Sequence, residues 1–385
     1  MQQDQVTVNR AGKYVKQLAG YRAFILNPLP PDPPLALDDE LLTLLSVADQ
    51  SVGRLDSVAD MLPNSDLFVS MYVRKEAVLS SQIEGTQATL VDVLEYEANF
   101  GHSQPILDVL ETINYVNALN AGLDRLEELP ICNRLFREIH GILMQGVRGQ
   151  EKSPGYFRET QNWIGPPGCT LDNATYVPPP PHEMTVAMGE LEDFLNAQSP
   201  MPILIKCGLA HGQFEMIHPF LDGNGRLGRL LITFLLCEKR VLARPLLYLS
   251  SYFRQHQAEY YDRLLAISND GDWEGWLKYF LKGIGEVSKE ATDTARKIIT
   301  MREEHRQLVS ERVRGSYGPA LLDSLYESPA VTSPRIRDTF GVSYVTANNL
   351  VHDFVNVGIL EETTRRPRNK VYIYKPYLEI LNRES

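Results

Sequence analysis

Cysteine is scarce in this sequence, and the four that occur form no pattern. Cys132, Cys169, Cys207 and Cys237 are spread over 385 residues without a CxxC pair or a Cys/His ligand set. A disulfide framework and a structural zinc site are therefore not expected, and a reducing cytoplasm fits. Long apolar runs are missing too: none approaches the roughly 20 residues that a membrane-spanning helix needs. The opening Met-Gln-Gln-Asp-Gln-Val carries no basic-then-apolar signal, so the expectation is a cytoplasmic protein with no membrane partner. Positive charge is in deficit, with 38 Lys and Arg against 49 Asp and Glu and a net charge of −11. That argues against bulk, sequence-independent binding of nucleic acid by the whole surface, while leaving room for a local basic patch. Internal repeats are absent, as are the Walker A pattern GxxxxGK[ST] and the kinase motif set. The usual nucleotide-binding folds are thereby excluded.

What is present is an ordinary globular composition, 43% hydrophobic and 23% charged, on a chain long enough for two or three domains. Its apolar periodicity predicts a mainly α protein. Residues 1–35 read as an N-terminal extended arm, because Pro28, Pro30, Pro31, Pro33 and Pro34 restrict the backbone. Residues 36–110 read as a helical region. One helix carries Leu41, Leu42, Leu45, Ala48, Val52 and Leu55, and a second spans about 65–85 and stops at Gly85. Residues 111–286 form a helical core with one interruption. There, Asn162-Trp163-Ile164 and Thr175-Tyr176-Val177 flank Gly165-Pro166-Pro167-Gly168 and predict a β-hairpin over about 160–177. Such a hairpin is either a surface excursion or a substrate-holding flap. After a helix near 273–285, residues 287–315 read as a separate connector helix. Residues 316–385 then give three helices, Leu360-Glu361-Glu362, a basic turn Arg365–Lys370 and the strand Val371–Tyr374, which is a winged-helix layout.

The chemistry concentrates in His218-Pro219-Phe220-Leu221-Asp222-Gly223-Asn224-Gly225-Arg226-Leu227-Gly228-Arg229. His218 titrates near neutrality and can act as a general base. Asp222 offers hard oxygen ligation to Mg²⁺. Gly223 and Gly225 let the backbone approach a phosphate closely, and Asn224 adds a side-chain donor. Leu227, Leu230, Leu231, Phe234 and Leu235 make the next stretch a core helix, so the loop feeds a helix start suited to anions. Arg226 and Arg229, three apart, can both address a polyphosphate lying over that start. A lone histidine before Pro-Phe or a lone Gly-Asn-Gly is more often a structural turn. Together they meet the separate requirements of transfer from a nucleoside triphosphate.

This stretch matches the pattern HxFx(D/E)GNGRxxR of the Fic family at every fixed position, and the chain is identified as resembling that family over most of residues 36–376. The resemblance implies a Fic-type helical bundle with a β-hairpin flap. It also implies a protein adenylyltransferase that moves AMP from ATP to a Tyr, Thr or Ser hydroxyl of a protein, with the chain itself among the targets and pyrophosphate released. By that resemblance His218 deprotonates the hydroxyl and Asp222 holds Mg²⁺ on the α- and β-phosphates. Gly223, Asn224 and Gly225 form the anion hole, Arg226 contacts the phosphates and Arg229 the γ-phosphate. Ser80-Ser81-Gln82-Ile83-Glu84-Gly85 resembles the family's inhibitory pattern (S/T)xxxE(G/N), with Ser80, Glu84 and Gly85 at its fixed positions. A Glu84 carboxylate paired with the Arg229 guanidinium would deny the γ-phosphate its partner. The hairpin resembles the flap that docks target segments, and the C-terminal module resembles the winged helix that follows many Fic cores.

Two alternatives accompany this reading. The same site can run as a hydrolase that removes AMP, with Glu84 orienting water. A DNA-binding regulator would work through the winged helix instead. Residues 317–385 hold eight Lys and Arg and eight Asp and Glu, however, and the presumed recognition helix from Ser343 to Asp353 has neither Lys nor Arg. DNA binding is not favoured over protein docking, and a homodimer is left open.

Overall fold

The computed structural model describes residues 9–61, 65–98, 106–363 and 370–382. The expected helix stop at Leu62–Asn64 and most of the basic turn, Arg365–Asn369, lie outside the described residues. In chain order the elements are β1 (Gly12–Lys16), β2 (Arg22–Leu26), α1 (Asp39–Met61), α2 (Ser65–Ile83), α3 (Leu90–Ala98), α4 (Leu107–Arg125) and α5 (Asn133–Leu143). Then come α6 (Pro181–Asn196), α7 (Ile203–Ile217), α8 (Asn224–Glu238), α9 (Ser250–Gln255), α10 (Gln257–Asp270) and α11 (Trp273–Arg312). The remainder is α12 (Gly318–Glu327), β3 (Ala330–Val331), α13 (Ser333–Phe340), α14 (Tyr344–Asn356), β4 (Leu360–Glu362), β5 (Tyr372–Tyr374) and α15 (Lys375–Asn382). The mainly α expectation holds. No helix among the described residues is long and apolar enough to cross a membrane.

The chain forms two compact units. The first takes the described residues of Met1–Gly53, Asn114–Ala243 and Leu247–Val287, and the second those of Arg54–Ile113, Arg244–Leu246 and Ser288–Ser385. The first unit is built around α7, which is apolar nearly all round and buried along almost its whole length, as such a sequence requires. It packs against α6, α8 and α10. Leu227, Leu230, Leu231, Phe234 and Leu235 of α8 are all buried, confirming the stripe. Behind α7, His211 lies among Phe253, Tyr260, Trp276 and Phe280, and the Trp276 indole donates to the Gly208 carbonyl at 2.8 Å.

Two expectations need correction in this unit. Residues 12–26 are not simply extended: β1 and β2 pair antiparallel, from Gly12 opposite Leu26 to Lys16 opposite Arg22. Ala23, Phe24 and Leu26 of β2 are buried, which gives the strand its apolar anchorage. The hairpin over 160–177 shrinks to a single bridge, in which Ile164 and Tyr176 exchange hydrogen bonds at 2.8 and 3.0 Å. The prolines after Val177 end that pairing. β2 extends the small ladder, because the Phe24 N–H donates to the Val177 carbonyl at 2.9 Å.

In the second unit, α2 packs against α3 and α12, and a three-stranded antiparallel sheet of order β3-β5-β4 closes the C-terminal part. Tyr326, Tyr374 and Tyr377 stack edge-on or tilted on one another. Tyr374 also hydrogen-bonds Tyr326 and His305. The expected break between a helix near 273–285 and a connector from 287 is absent. α11 runs unbroken for 40 residues, since nothing near Gly285-Glu286-Val287 supplies a proline or a cap.

Candidate active site

The site lies in the first unit, where α7 ends, the loop 218–223 turns, and α8 begins. α7 stops because His218 takes a left-handed backbone, φ 50° and ψ 61°. That conformation costs a non-glycine residue about 1–3 kcal/mol and must be held by its surroundings. Here the bracing is dense. Arg158, 3% exposed, donates from Nε to the His218 carbonyl at 2.9 Å. The same guanidinium also reaches the carbonyls of Thr160, Pro179 and Ile217, and the Arg158 N–H donates to the Pro219 carbonyl at 3.0 Å. Burial pulls the Arg158 pKa down to about 10, which leaves it cationic at neutral pH. Asn162 Nδ2 donates to the carbonyls of His218 at 3.3 Å and Phe220 at 3.0 Å.

The His218 ring lies with Nδ1 at 3.3 Å from the Glu215 carbonyl. A carbonyl can only accept, so Nδ1 carries the proton and Nε2 is left with the lone pair of a base. Asn224 is 2% exposed. Its Oδ1 accepts from the Phe220 N–H and its Nδ2 donates to the Phe220 carbonyl, both at 2.8 Å. Oδ1 and one Nδ2 hydrogen thus latch the loop. Gly223 is left-handed, φ 76°, and a Cβ there would meet Met144 Sδ at 2.9 Å. Glycine is required at that turn on both counts.

His140 on α5 is a site residue that sequence reasoning missed. Its ring stacks on Phe220 with centroids 3.8 Å apart. Nδ1 accepts from the Gly155 N–H at 2.9 Å, which puts the proton on Nε2, donated to the Asp222 carbonyl at 3.0 Å. Burial pushes the His140 pKa down to about 4, so it is neutral. The only sequence trace was a histidine on the apolar face of α5, where a satisfied core histidine is the ordinary outcome.

Asp222 Oδ1 accepts from the Gly223 N–H at 2.7 Å, and Oδ2 from Lys152 Nζ at 2.9 Å. The Arg226 Nη2 lies 3.8 Å from Oδ1 and 3.3 Å from Met144 Sδ. Arg226 and Arg229 are buried along α8, 3% and 4% exposed, and follow Gly225 in its first two turns. His218, Asp222, Gly223, Asn224, Gly225, Arg226 and Arg229 are thus brought together. Among the described residues no group of three His, Cys, Asp or Glu is arranged to hold a metal ion. A lone half-exposed carboxylate is the kind of donor Mg²⁺ uses when substrate phosphates complete its shell, so Asp222 fits that ion.

The flap residues divide. Trp163 and Thr175 are exposed, Ile164 is half-buried, and Tyr176 and Val177 are buried. Tyr176 donates its hydroxyl to the Met216 carbonyl at 2.9 Å, and the Asn162 amide serves the loop. Ser80, Glu84 and Gly85 lie in the second unit. α2 ends at Ile83, Gly85 has φ 96°, Ser80 is buried and Glu84 exposed.

Comparison with known proteins finds two family matches in this chain, one of which spans the loop 218–223. The Fic/DOC family N-terminal model matches residues 42–124, and the Fic/DOC family model matches residues 130–236. The chain is a Fic-domain protein with the family's N-terminal region ahead of the domain. It is 29% identical over 190 residues to a protein adenylyltransferase Fic of Culex quinquefasciatus, covering 49% of this chain and 33% of that protein. It is 27% identical over 312 residues to the protein of the same name in Aedes aegypti, covering 76% and 56%. The chain therefore spans between a third and just over half of these relatives. A crystal structure of a Fic family protein from Desulfovibrio desulfuricans G20 shares the fold. It is 20% identical, with a TM-score of 0.55, covering 89% of this chain and 97% of that one.

Proposed function

We propose that this protein transfers AMP from ATP to a hydroxyl side chain of a protein, and that Glu84 restrains the transfer. The observation that carries the reading is the His218 imidazole, its Nδ1 held at the Glu215 carbonyl, beside a helix start followed by two buried arginines. His218 Nε2 takes the proton of the target hydroxyl as its oxygen attacks the α-phosphorus. The bond from that phosphorus to the bridging oxygen breaks, and pyrophosphate leaves. Amides at the start of α8, with Arg226 and Arg229, bind the phosphate charge, and the braced loop holds these donors without reorganisation. Magnesium, when bound at Asp222, supplies further neutralisation of the phosphates. The names of the curated relatives support the same chemistry.

The brake is a carboxylate–guanidinium pairing of Glu84 with Arg229, which removes the arginine from the γ-phosphate and sets a like charge beside it. The exposed position of Glu84 after the end of α2 supports it. Incubation with α-labelled ATP and Mg²⁺ tests both parts. Wild type is expected to label itself weakly, Glu84→Gly strongly, and His218→Ala not at all. Equal labelling of all three would overturn the proposal. The flap residues Asn162–Ile164 and Thr175–Val177 serve target docking in this reading, chiefly through the exposed Trp163 edge.

Residues 316–385 serve as a winged-helix module for protein docking rather than DNA. Exposed Tyr344 and Val345 open α14, which has no Lys or Arg. A gel shift with duplex DNA that is abolished only by high salt would reverse that choice.

A further inference from the structure

Asp222, the carboxylate that fits a nucleotide-bound cation, already faces a cation of this chain. Lys152 Nζ sits 2.9 Å from Oδ2, while the other oxygen holds the Gly223 N–H. The placement of Lys152 is built. Its N–H donates to the Gly149 carbonyl at 2.9 Å, which closes a tight turn, and Tyr156 N–H to the Ser153 carbonyl at 3.1 Å closes the next. The segment is tied down where the Gly155 N–H meets His140. Gly149 brings this turn against the carboxylate: it has φ 82°, and a Cβ there would stand 2.8 Å from Asp222 Oδ2. The two side chains are only half-exposed, 43% and 36%, and the flexible lysine stem can swing to solvent.

We propose that Lys152 is a built-in counter-ion of Asp222, one that a divalent cation arriving with nucleotide must displace. Lys152 thereby sets the cation concentration at which nucleotide binds. The proposal rests on the nucleotide-transfer reading of the site. An ammonium and a divalent cation at one carboxylate repel each other, so the affinity of either is lowered by the other's presence. Removing the ammonium favours the divalent cation, and reversing its charge adds a second hard oxygen donor. The effect is small in size, because a half-exposed ion pair is a weak competitor.

The test measures binding rather than turnover. The full chain carrying Glu84→Gly is titrated with α,β-methylene-ATP by calorimetry at a series of Mg²⁺ concentrations. The same series is run with Lys152→Gln, Lys152→Glu and Asp222→Ala added, and thermal melts confirm folding. The Mg²⁺ concentration giving half-maximal nucleotide affinity is expected to fall about threefold in Lys152→Gln, in keeping with the strength of such pairs. It is expected to fall further in Lys152→Glu, and substitution of Lys152 should have no effect once Asp222 is alanine. The same Mg²⁺ requirement with Lys, Gln or Glu at position 152, alongside a dependence lost in Asp222→Ala, overturns the counter-ion proposal alone. Nucleotide binding indifferent to Mg²⁺ even with Asp222 intact overturns the reading of Asp222 and the proposal with it.

Discussion

At the scale of single residues, the loop at 218–223 is held by side chains whose importance the sequence conceals. His218, Asp222 and the glycines were legible because each residue type answers a chemical demand at a fixed spacing. His140, Arg158 and Lys152 were not, because each comes from a distant segment and reaches the loop only after folding. Asn224 was legible as part of the pattern, but its latching of the Phe220 backbone was not, since spacing cannot say what an amide bonds within its own loop. His140→Phe separates packing from bonding: it keeps the stack on Phe220 but strands the Gly155 N–H and the Asp222 carbonyl. Each stranded buried group costs about 1–3 kcal/mol. A lowered melting temperature, with transfer impaired more in kcat than in KM for ATP, is the expected result. An unchanged melt would show that the two bonds contribute nothing. Gly223→Ala is expected to cost more than the roughly 1–2 kcal/mol of a left-handed alanine, because its methyl also meets Met144. A denaturant titration measures it.

At the scale of elements, the helices came through well, with α7 and α8 close to where periodicity put them. The strands came through poorly. β1 and β2 are five residues each, and the proline-rich stretch behind them dominated the reading of residues 1–35. The Thr175–Val177 run gained its second neighbour from β2, a partner about 150 residues away that no local pattern reveals. Phe24 ties the two together: it is fully buried, contacts Tyr14 and Tyr176, and its N–H bonds Val177. Phe24→Ala is expected to cost about 3–5 kcal/mol and to speed proteolysis within 160–177. Cleavage there at the wild-type rate would show that β2 does not support the flap.

At the scale of the whole molecule, the division into two units was the least legible feature. Pro/Gly-rich linkers are the usual mark of a domain limit, yet beside the short passage Arg244–Leu246 the chain passes between units at Arg54, Asn114 and Ser288, inside α1, α4 and α11. A helix interior carries no compositional signal of a boundary. Stability should depend on pH through buried imidazoles. Burial pushes the His211 pKa down to about 3, while its ring bonds the Gly228 carbonyl and Tyr260 hydroxyl. The unfolded chain takes up this proton below a pH of about 6.5 and the folded one does not, so stability is full above about 6.5 and is lost as pH falls toward 3. His140 acts in the same direction. His211→Gln is expected to flatten the acid side of the melting profile by up to about 1.4 kcal/mol per pH unit. An acid slope equal to that of the wild type would contradict this.

The bracing of the loop has one more consequence. In a trans peptide unit the carbonyl and the following N–H point in opposite directions. The carbonyls of His218, Pro219, Phe220 and Asp222 are all gripped from the protein side, by Arg158, Asn162, Asn224 and His140. Each grip therefore fixes a peptide plane: the Phe220 N–H lies on Asn224 Oδ1 and the Gly223 N–H on Asp222 Oδ1, while the Leu221 N–H is set opposite the doubly held Phe220 carbonyl. Pro219, which has no N–H, follows the first gripped carbonyl. The protein sets this backbone by anchoring its acceptors, so a substitution at Arg158 or Asn162 would rotate peptide groups of the loop several residues away in the chain.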